Sequence, residues 1–177
     1  MMAQQNTKKK LNKFDFSIFG DINKARPTLN GGVHTLQYRI LRLFGMGLGL
    51  DQIIGTKASN GIQYTVGKNI GKQLVQKKII VGKNKKELLA SFVKAVINFK
   101  IGIPSIIKQN KNLPLIIRID ECINCSGMKN INRVICFYEA GIIAGVLSKI
   151  FNKKLDAIET KCNAKGDKYC EFKIIEN

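Results

Sequence analysis

At 177 residues with 45% hydrophobic composition, the chain is long enough to bury a sizeable core and is not a disordered polymer. No run approaches the ~18 uninterrupted apolar residues of a membrane span, and Met1 to Lys13 lacks the apolar centre of a signal peptide, so a cytoplasmic location is expected. The net charge of +18 comes from lysines spread along the chain, with little arginine and no basic run interleaved with aromatics; it reads as a solvated basic surface, with nucleic-acid binding as the alternative.

In chain order, residues 1–13 read as a flexible basic tail and residues 14–177 as a single domain. Phe14 to Phe19 alternates as a short strand, and Asn23 to Gly32 is a loop broken by Pro27. From His34 to Phe44 the residues Leu36, Ile40, Leu43 and Phe44 fall at helical spacing. The run Gly45-Met46-Gly47-Leu48-Gly49 is not a dinucleotide fingerprint, because Leu50 stands at the sixth position and no strand precedes it. Asp51 to Lys78 reads as a helix interrupted near Ser59-Asn60-Gly61, with Tyr64, Gly67 and Gly71 on one side for close packing. Lys85 to Lys100 is an amphipathic helix carrying Leu88, Leu89, Phe92, Val96 and Phe99 on its apolar stripe. Strands follow at Ile103 to Lys108 and Leu113 to Asp120, then a polar loop from Cys122 to Asn132. A helix over Val134 to Phe151 packs through Ala140, Gly141, Ala144 and Gly145, and a hairpin closes the chain. This order implies an α+β fold, an antiparallel sheet with helices packed on one face.

Five cysteines in such a chain are reduced thiols or metal ligands. Cys162 and Cys170 flank Ala164-Lys165-Gly166-Asp167, and a three-residue loop over Lys165 to Asp167 places them opposite each other. Cys136, in the first turn of the last helix, sits where free N–H groups favour a thiolate. A fourth ligand comes from Glu159 or from the Cys122 and Cys125 pair. Spacing leans to the second, an all-thiolate set with Cys162 and Cys170, because strand parity puts Glu159 on the face opposite Cys162 unless a bulge intervenes. Buried, unmetallated thiols are the plain alternative.

The elements Cys136-Phe137-Tyr138 with Gly141 and Gly145, Glu159 and Cys162, Gly166-Asp167, and Cys170-Glu171-Phe172 resemble the 4-vinyl reductase domain family. Glu121-Cys122 with Gly127, and Tyr64 with Gly67 and Gly71, are similar to its upstream pattern. The resemblance covers roughly Leu36 to Ile175. It implies the fold of the superfamily that includes haem-nitric-oxide sensors and vesicle-tethering subunits, the NO-signalling and Golgi-transport ligand-binding class. It also implies a structural zinc held by Cys136, Glu159, Cys162 and Cys170, with Cys122 and Cys125 left over.

Two function classes follow. The family name implies a reductase acting on a tetrapyrrole vinyl group, yet no nucleotide fingerprint or iron–sulfur cysteine set supplies electrons. The other is a sensor or regulatory domain whose apolar pocket, lined by Tyr64, Phe92, Phe99, Phe137 and Tyr138, binds a small hydrophobic ligand. The chain has no tryptophan, so the histidine and tryptophan pair that clamps phenol in related sensors is missing, and a more aliphatic or larger ligand is expected. A homodimer and a separate protein partner would carry the signal.

Overall fold

Alternation in Leu113–Asp120 puts Ile117 and Ile119 on one face, and each is 2% exposed. This segment, β2, lies inside a four-stranded antiparallel sheet with β1 (Ile103–Asn110), β3 (Leu155–Lys161) and β4 (Cys170–Glu176), in the order β1-β2-β4-β3. The register sets Ile117 opposite Phe172 and Ile119 opposite Cys170, so Cys170 shares the buried face. The computed structural model describes residues 28, 33–110 and 113–177, without the side chains of 108–110 and 114. The tail over 1–13, the strand expected over 14–19, the loop over 23–32 and the domain start at residue 14 lie outside the described residues, apart from Thr28.

Helices cover one face of the sheet. α1 (Thr35–Arg39) is capped by His34, whose Nδ1 accepts from the Leu36 N–H at 3.2 Å. It runs into a π-helical segment, Ile40–Gly49, and then α2 (Leu50–Ile54). The glycine-rich run is thus helical. α3 (Thr56–Gln76) follows, and the interruption expected near Ser59-Asn60-Gly61 falls instead at Gly55, whose φ of 79° ends one helix before the next begins. Ser59 is buried within α3 and donates to the Met46 carbonyl at 3.4 Å. α4 (Lys85–Asn98) opens on a reciprocal cap: Asn84 accepts from the Glu87 N–H at 3.0 Å, and the Glu87 carboxylate accepts from the Lys83 N–H at 2.8 Å. Leu89, Phe92 and Val96 are buried on it, but Phe99 sits at the C-cap, 55% exposed.

α5 (Phe137–Phe151) is the most buried helix, with Glu139 to Gly141, Ile143 to Leu147, Ile150 and Phe151 inside. Four glycines let α3 and α5 touch backbone to backbone. A Cβ on Gly67 or Gly71 would lie within 3.0 Å of α5 main chain at Tyr138 and Ile142, and one on Gly141 or Gly145 equally close to α3 main chain at Tyr64 and Lys68. Leu36, Ile40 and Phe44, by contrast, are 61%, 52% and 59% exposed, so the first helical stripe faces outward from the described residues. No helix among the described residues is long and apolar enough to cross a membrane.

Candidate metal centre

Each cysteine reaches one point by a different local device. Cys136 is the N-cap of α5, not a residue of its first turn, since the helix begins at Phe137. Cys122 and Cys125 lie on a tight turn in which the Cys122 carbonyl accepts from the N–H groups of Cys125 (3.2 Å) and Ser126 (2.9 Å). Arg39 holds that turn to α1 by donating to the carbonyls of Ile123 (2.6 Å) and Ser126 (2.7 Å). The connection between Cys162 and Cys170 is longer than the three-residue loop expected from Gly166-Asp167. It contains a 3-10 turn, Asn163–Lys165, and a left-handed Gly166, and the Asp167 carboxylate accepts from the Cys162 N–H at 2.9 Å. Lys161 pairs with Glu171, so Cys162 and Cys170 still face each other just beyond the last pair.

The parity objection to Glu159 is met by a bulge. Glu159 pairs with Phe172 and Lys161 with Glu171, so Thr160 is an extra residue and Glu159 turns to the side of Cys162. Glu159, Cys136, Cys162 and Cys170 have donor atoms within 4.8 Å of one another, and so do Cys122, Cys125, Cys136 and Cys170. Cys122 and Cys125, left over by the resemblance, are therefore part of the cluster. The all-thiolate set suggested by spacing forms with Cys136 in the place of Cys162.

All five cysteines are unpaired and 0% exposed. Sulfur separations are 3.8 Å for Cys122–Cys136, 3.6 Å for Cys125–Cys136, 3.2 Å for Cys125–Cys170, and 3.9 Å for both Cys136–Cys162 and Cys136–Cys170. Tetrahedral zinc with Zn–S bonds of about 2.3 Å has an S–S edge of about 3.8 Å, so these residues fit such an ion. A second feature agrees. One Glu159 oxygen accepts from the Cys136 N–H at 2.8 Å, while the other, Oε1, is buried without a partner. Burial, with the Cys162 thiolate next, pushes the Glu159 carboxyl up to about 9. Hydrogen bonds from neighbouring thiols, Cys125 first, hold Cys122 and Cys162 below the usual thiol range, while Cys125, Cys136 and Cys170 are pushed above it.

Of the aromatic pocket candidates, Tyr64 donates its hydroxyl to Asp156 (2.7 Å) and accepts from the Ala157 N–H (3.0 Å), tying α3 to β3. Phe92 is in the core, and Phe137 borders an open depression with Thr56, Asn60, Arg133 and Lys165. Tyr138 stacks under Arg42, whose guanidinium carbon is 4.6 Å from the ring centroid.

Two residues that local sequence patterns did not single out, Arg42 and Glu139, are buried as an ion pair at 3.6 Å. Neither interrupts its helix pattern visibly. Glu139 also accepts from Asn124 (3.2 Å) and Tyr38 (3.5 Å). Burial pushes its carboxyl up to about 7, with Arg42 acting in the opposite direction. Arg42 borders a cavity of about 20 Å³ with Leu43, Gln63, Asn124, Ile131, Arg133 and Ile135, and its Nε and Nη2 lack hydrogen-bond partners.

A raised carboxyl keeps its proton in the fold at pH values where the unfolded chain has lost it. Its contribution is thus fully present below the ordinary carboxylate range and is lost as pH rises to about 7. Wild type should accordingly lose roughly 3 kcal/mol relative to Glu139→Gln between about pH 4 and pH 8. Paired denaturant titrations across that window measure it, and a pH-independent difference refutes it.

Antiparallel sheet, covering helices and buried thiol cluster together define an α+β domain of the sensor and tethering-subunit class. The sequence model of the 4-vinyl reductase domain matches residues 115–176. An uncharacterized protein of Methanocaldococcus jannaschii is 36% identical over 128 residues, 72% of this chain and 66% of the relative. A second uncharacterized protein from that organism is 36% identical over 137 residues, 77% of this chain and 74% of the relative. The chain belongs to the 4-vinyl reductase domain family.

Solved structures share its fold. The phenol-responsive sensory domain of the transcription activator PoxR, with phenol, has a TM-score of 0.62 at 14% identity, covering 81% of this chain and 75% of that one. A vinyl-4-reductase family protein from Methanocaldococcus jannaschii has a TM-score of 0.54 at 20% identity, covering 93% and 98%. Trafficking protein particle complex subunit 3 from Naegleria fowleri, covalently bound to palmitic acid, has a TM-score of 0.57 at 16% identity, covering 81% and 97%.

Proposed function

We propose that this chain is a small-molecule-binding sensor or regulatory domain whose apolar ligand site adjoins a structural zinc centre. The observation that carries the proposal is a shared wall. Asn124, between Cys122 and Cys125, and Ile135, beside Cys136, both line the Arg42 cavity. A cation bound by Cys136, Glu159, Cys162 and Cys170 fixes the start of α5 and hence that wall. Four protein ligands close the coordination shell, so the ion supplies folding energy and no open position for chemistry.

The cavity, about 20 Å³, has room for a water-sized group, whereas an organic ligand needs a few hundred Å³. Ligand entry therefore requires the π-helical segment to shift. Its non-standard hydrogen bonding and its glycines Gly45, Gly47 and Gly49 make it the soft wall. Leu43, Leu48, Ile131 and Ile135 supply the apolar lining, and Arg42 offers two free N–H groups to a polar end. Tyr138, stacked on Arg42, belongs to the rim. Phenol in the PoxR sensory domain and palmitic acid in the trafficking subunit are both largely apolar ligands in this fold, which supports the same class here. The exposed Leu36, Ile40, Leu41 and Phe44 support a homodimer or a separate protein partner on the outer side of the same helices.

Native mass spectrometry of the purified chain tests the proposal in one measurement. A dimer carrying zinc and a co-purified hydrophobic molecule is expected. A chain with neither zinc nor an apolar ligand refutes it, and a bound flavin or nicotinamide favours the vinyl-reductase alternative.

A further inference from the structure

The six donors point beyond a single ion. We propose that this centre holds two divalent ions, in two tetrahedra that share the Cys136–Cys170 edge. This deepens the zinc-centre reading above and rests on it, and it gives Cys122 and Cys125 a role that a single four-ligand site does not.

The donors fall into two overlapping quartets, Cys122, Cys125, Cys136, Cys170 and Cys136, Glu159, Cys162, Cys170. Two four-coordinate ions need eight bonds, and six donors supply eight only if two of them bridge. Cys136 and Cys170 are the two residues common to both quartets, and thiolate sulfur has the lone pairs to bind two soft cations at once. Their separation of 3.9 Å is that of a shared tetrahedral edge, and the 3.8, 3.6 and 3.9 Å spacings from Cys136 to Cys122, Cys125 and Cys162 are edges of the two polyhedra. Cys125–Cys170, at 3.2 Å, is the compressed edge.

Charge agrees with two ions. Five thiolates and one carboxylate carry six negative charges, and two divalent cations leave two, the balance of an ordinary four-thiolate zinc site. One cation leaves two of the six donors as buried bystanders, including either the carboxyl of Glu159, whose Oε1 has no other partner, or two thiols at van der Waals distance from the ligands. Binding moves no electrons: each thiol, and the Glu159 carboxyl when protonated, releases its proton to solvent as the metal bond forms. The arrangement is also prepared in advance, because Arg39 fixes the Cys122–Cys125 turn, Asp167 fixes the Cys162 N–H, and the α5 N-cap fixes Cys136.

Titration of the reduced, metal-free full chain with Co²⁺ distinguishes the cases, followed by thiolate-to-metal absorption, electron paramagnetic resonance and metal content. Two ions per chain are expected, and the resonance of the first should fall as the second binds, since bridging thiolates couple the two spins. The double variant Cys122→Ser with Cys125→Ser should bind one ion and keep its resonance. One ion per wild-type chain, two with an undiminished signal, or iron with acid-labile sulfide in the purified protein would each overturn the bridged pair, and the first of these leaves the single-ion centre intact. No ion at all overturns both.

Discussion

Gly145→Ala is expected to destabilise the domain by about 3 kcal/mol or more, although it adds one methyl group. The new Cβ would lie within 3.0 Å of Lys68 and Lys72 main-chain atoms, and an α3 backbone cannot yield as a side-chain tip can. Relief requires the two helices to separate, and that strips contact from both over several turns. The clash is reciprocal, since Gly67 and Gly71 meet Tyr138, Ile142 and Val146 in the same way. Gly61→Ala is the control: it lies in the same α3 with nothing within 4 Å of its Cβ. It should raise stability by up to about 1 kcal/mol, by removing backbone freedom from the unfolded chain. Denaturant midpoints of the two variants, compared at equal metal content, decide the matter. Equal effects of the two substitutions would refute the close-packed crossing.

That crossing was legible beforehand because four-residue glycine spacing is a local pattern on each helix. The same holds for α4, whose stripe and Asn84 cap both lie within a few turns, and for the paired strands β1 and β2. What local pattern cannot carry is direction relative to the rest of the chain. The periodicity of Leu36, Ile40 and Phe44 signals a helix, yet these side chains point away from the core formed by the described residues. The break at Gly55 was misplaced to Ser59-Asn60-Gly61 because polar residues and glycine look like a turn, whereas Ser59 is satisfied by a carbonyl thirteen residues earlier. The Thr160 bulge is set by cross-strand register, so alternation alone put Glu159 on the wrong face. Cys122 and Cys125 join the cluster through β2 and its Ile119–Cys170 pairing, a contact between positions fifty residues apart that spacing rules do not encode. The buried Arg42 and Glu139 pair likewise joins two distant helices, and each residue alone resembles a solvated charge.

On the proposed metal centre, Cys170→Ser and Cys136→Ser are the cysteine substitutions with the largest expected cost, because only these two residues belong to both ligand quartets. An ion present at a thousandfold its Kd stabilises the fold by about 4 kcal/mol, and each further tenfold adds about 1.4 kcal/mol. Loss of either residue removes that contribution whichever quartet is occupied. It also loosens the attachment of α5 to β4, since Cys136 caps the helix and Cys170 begins the strand. Serine is close to cysteine in size, so the residual packing and hydrogen-bonding cost should be only about 1 kcal/mol. A chelator separates the two contributions: it should lower the stability of wild type by several kcal/mol and leave Cys170→Ser nearly unchanged, bringing the two proteins together. Cys162→Ser and Cys122→Ser, each belonging to one quartet, should fall between these limits and retain part of the chelator response. A Cys170→Ser protein that keeps both its metal and its wild-type midpoint would show that the sulfurs converge for packing alone.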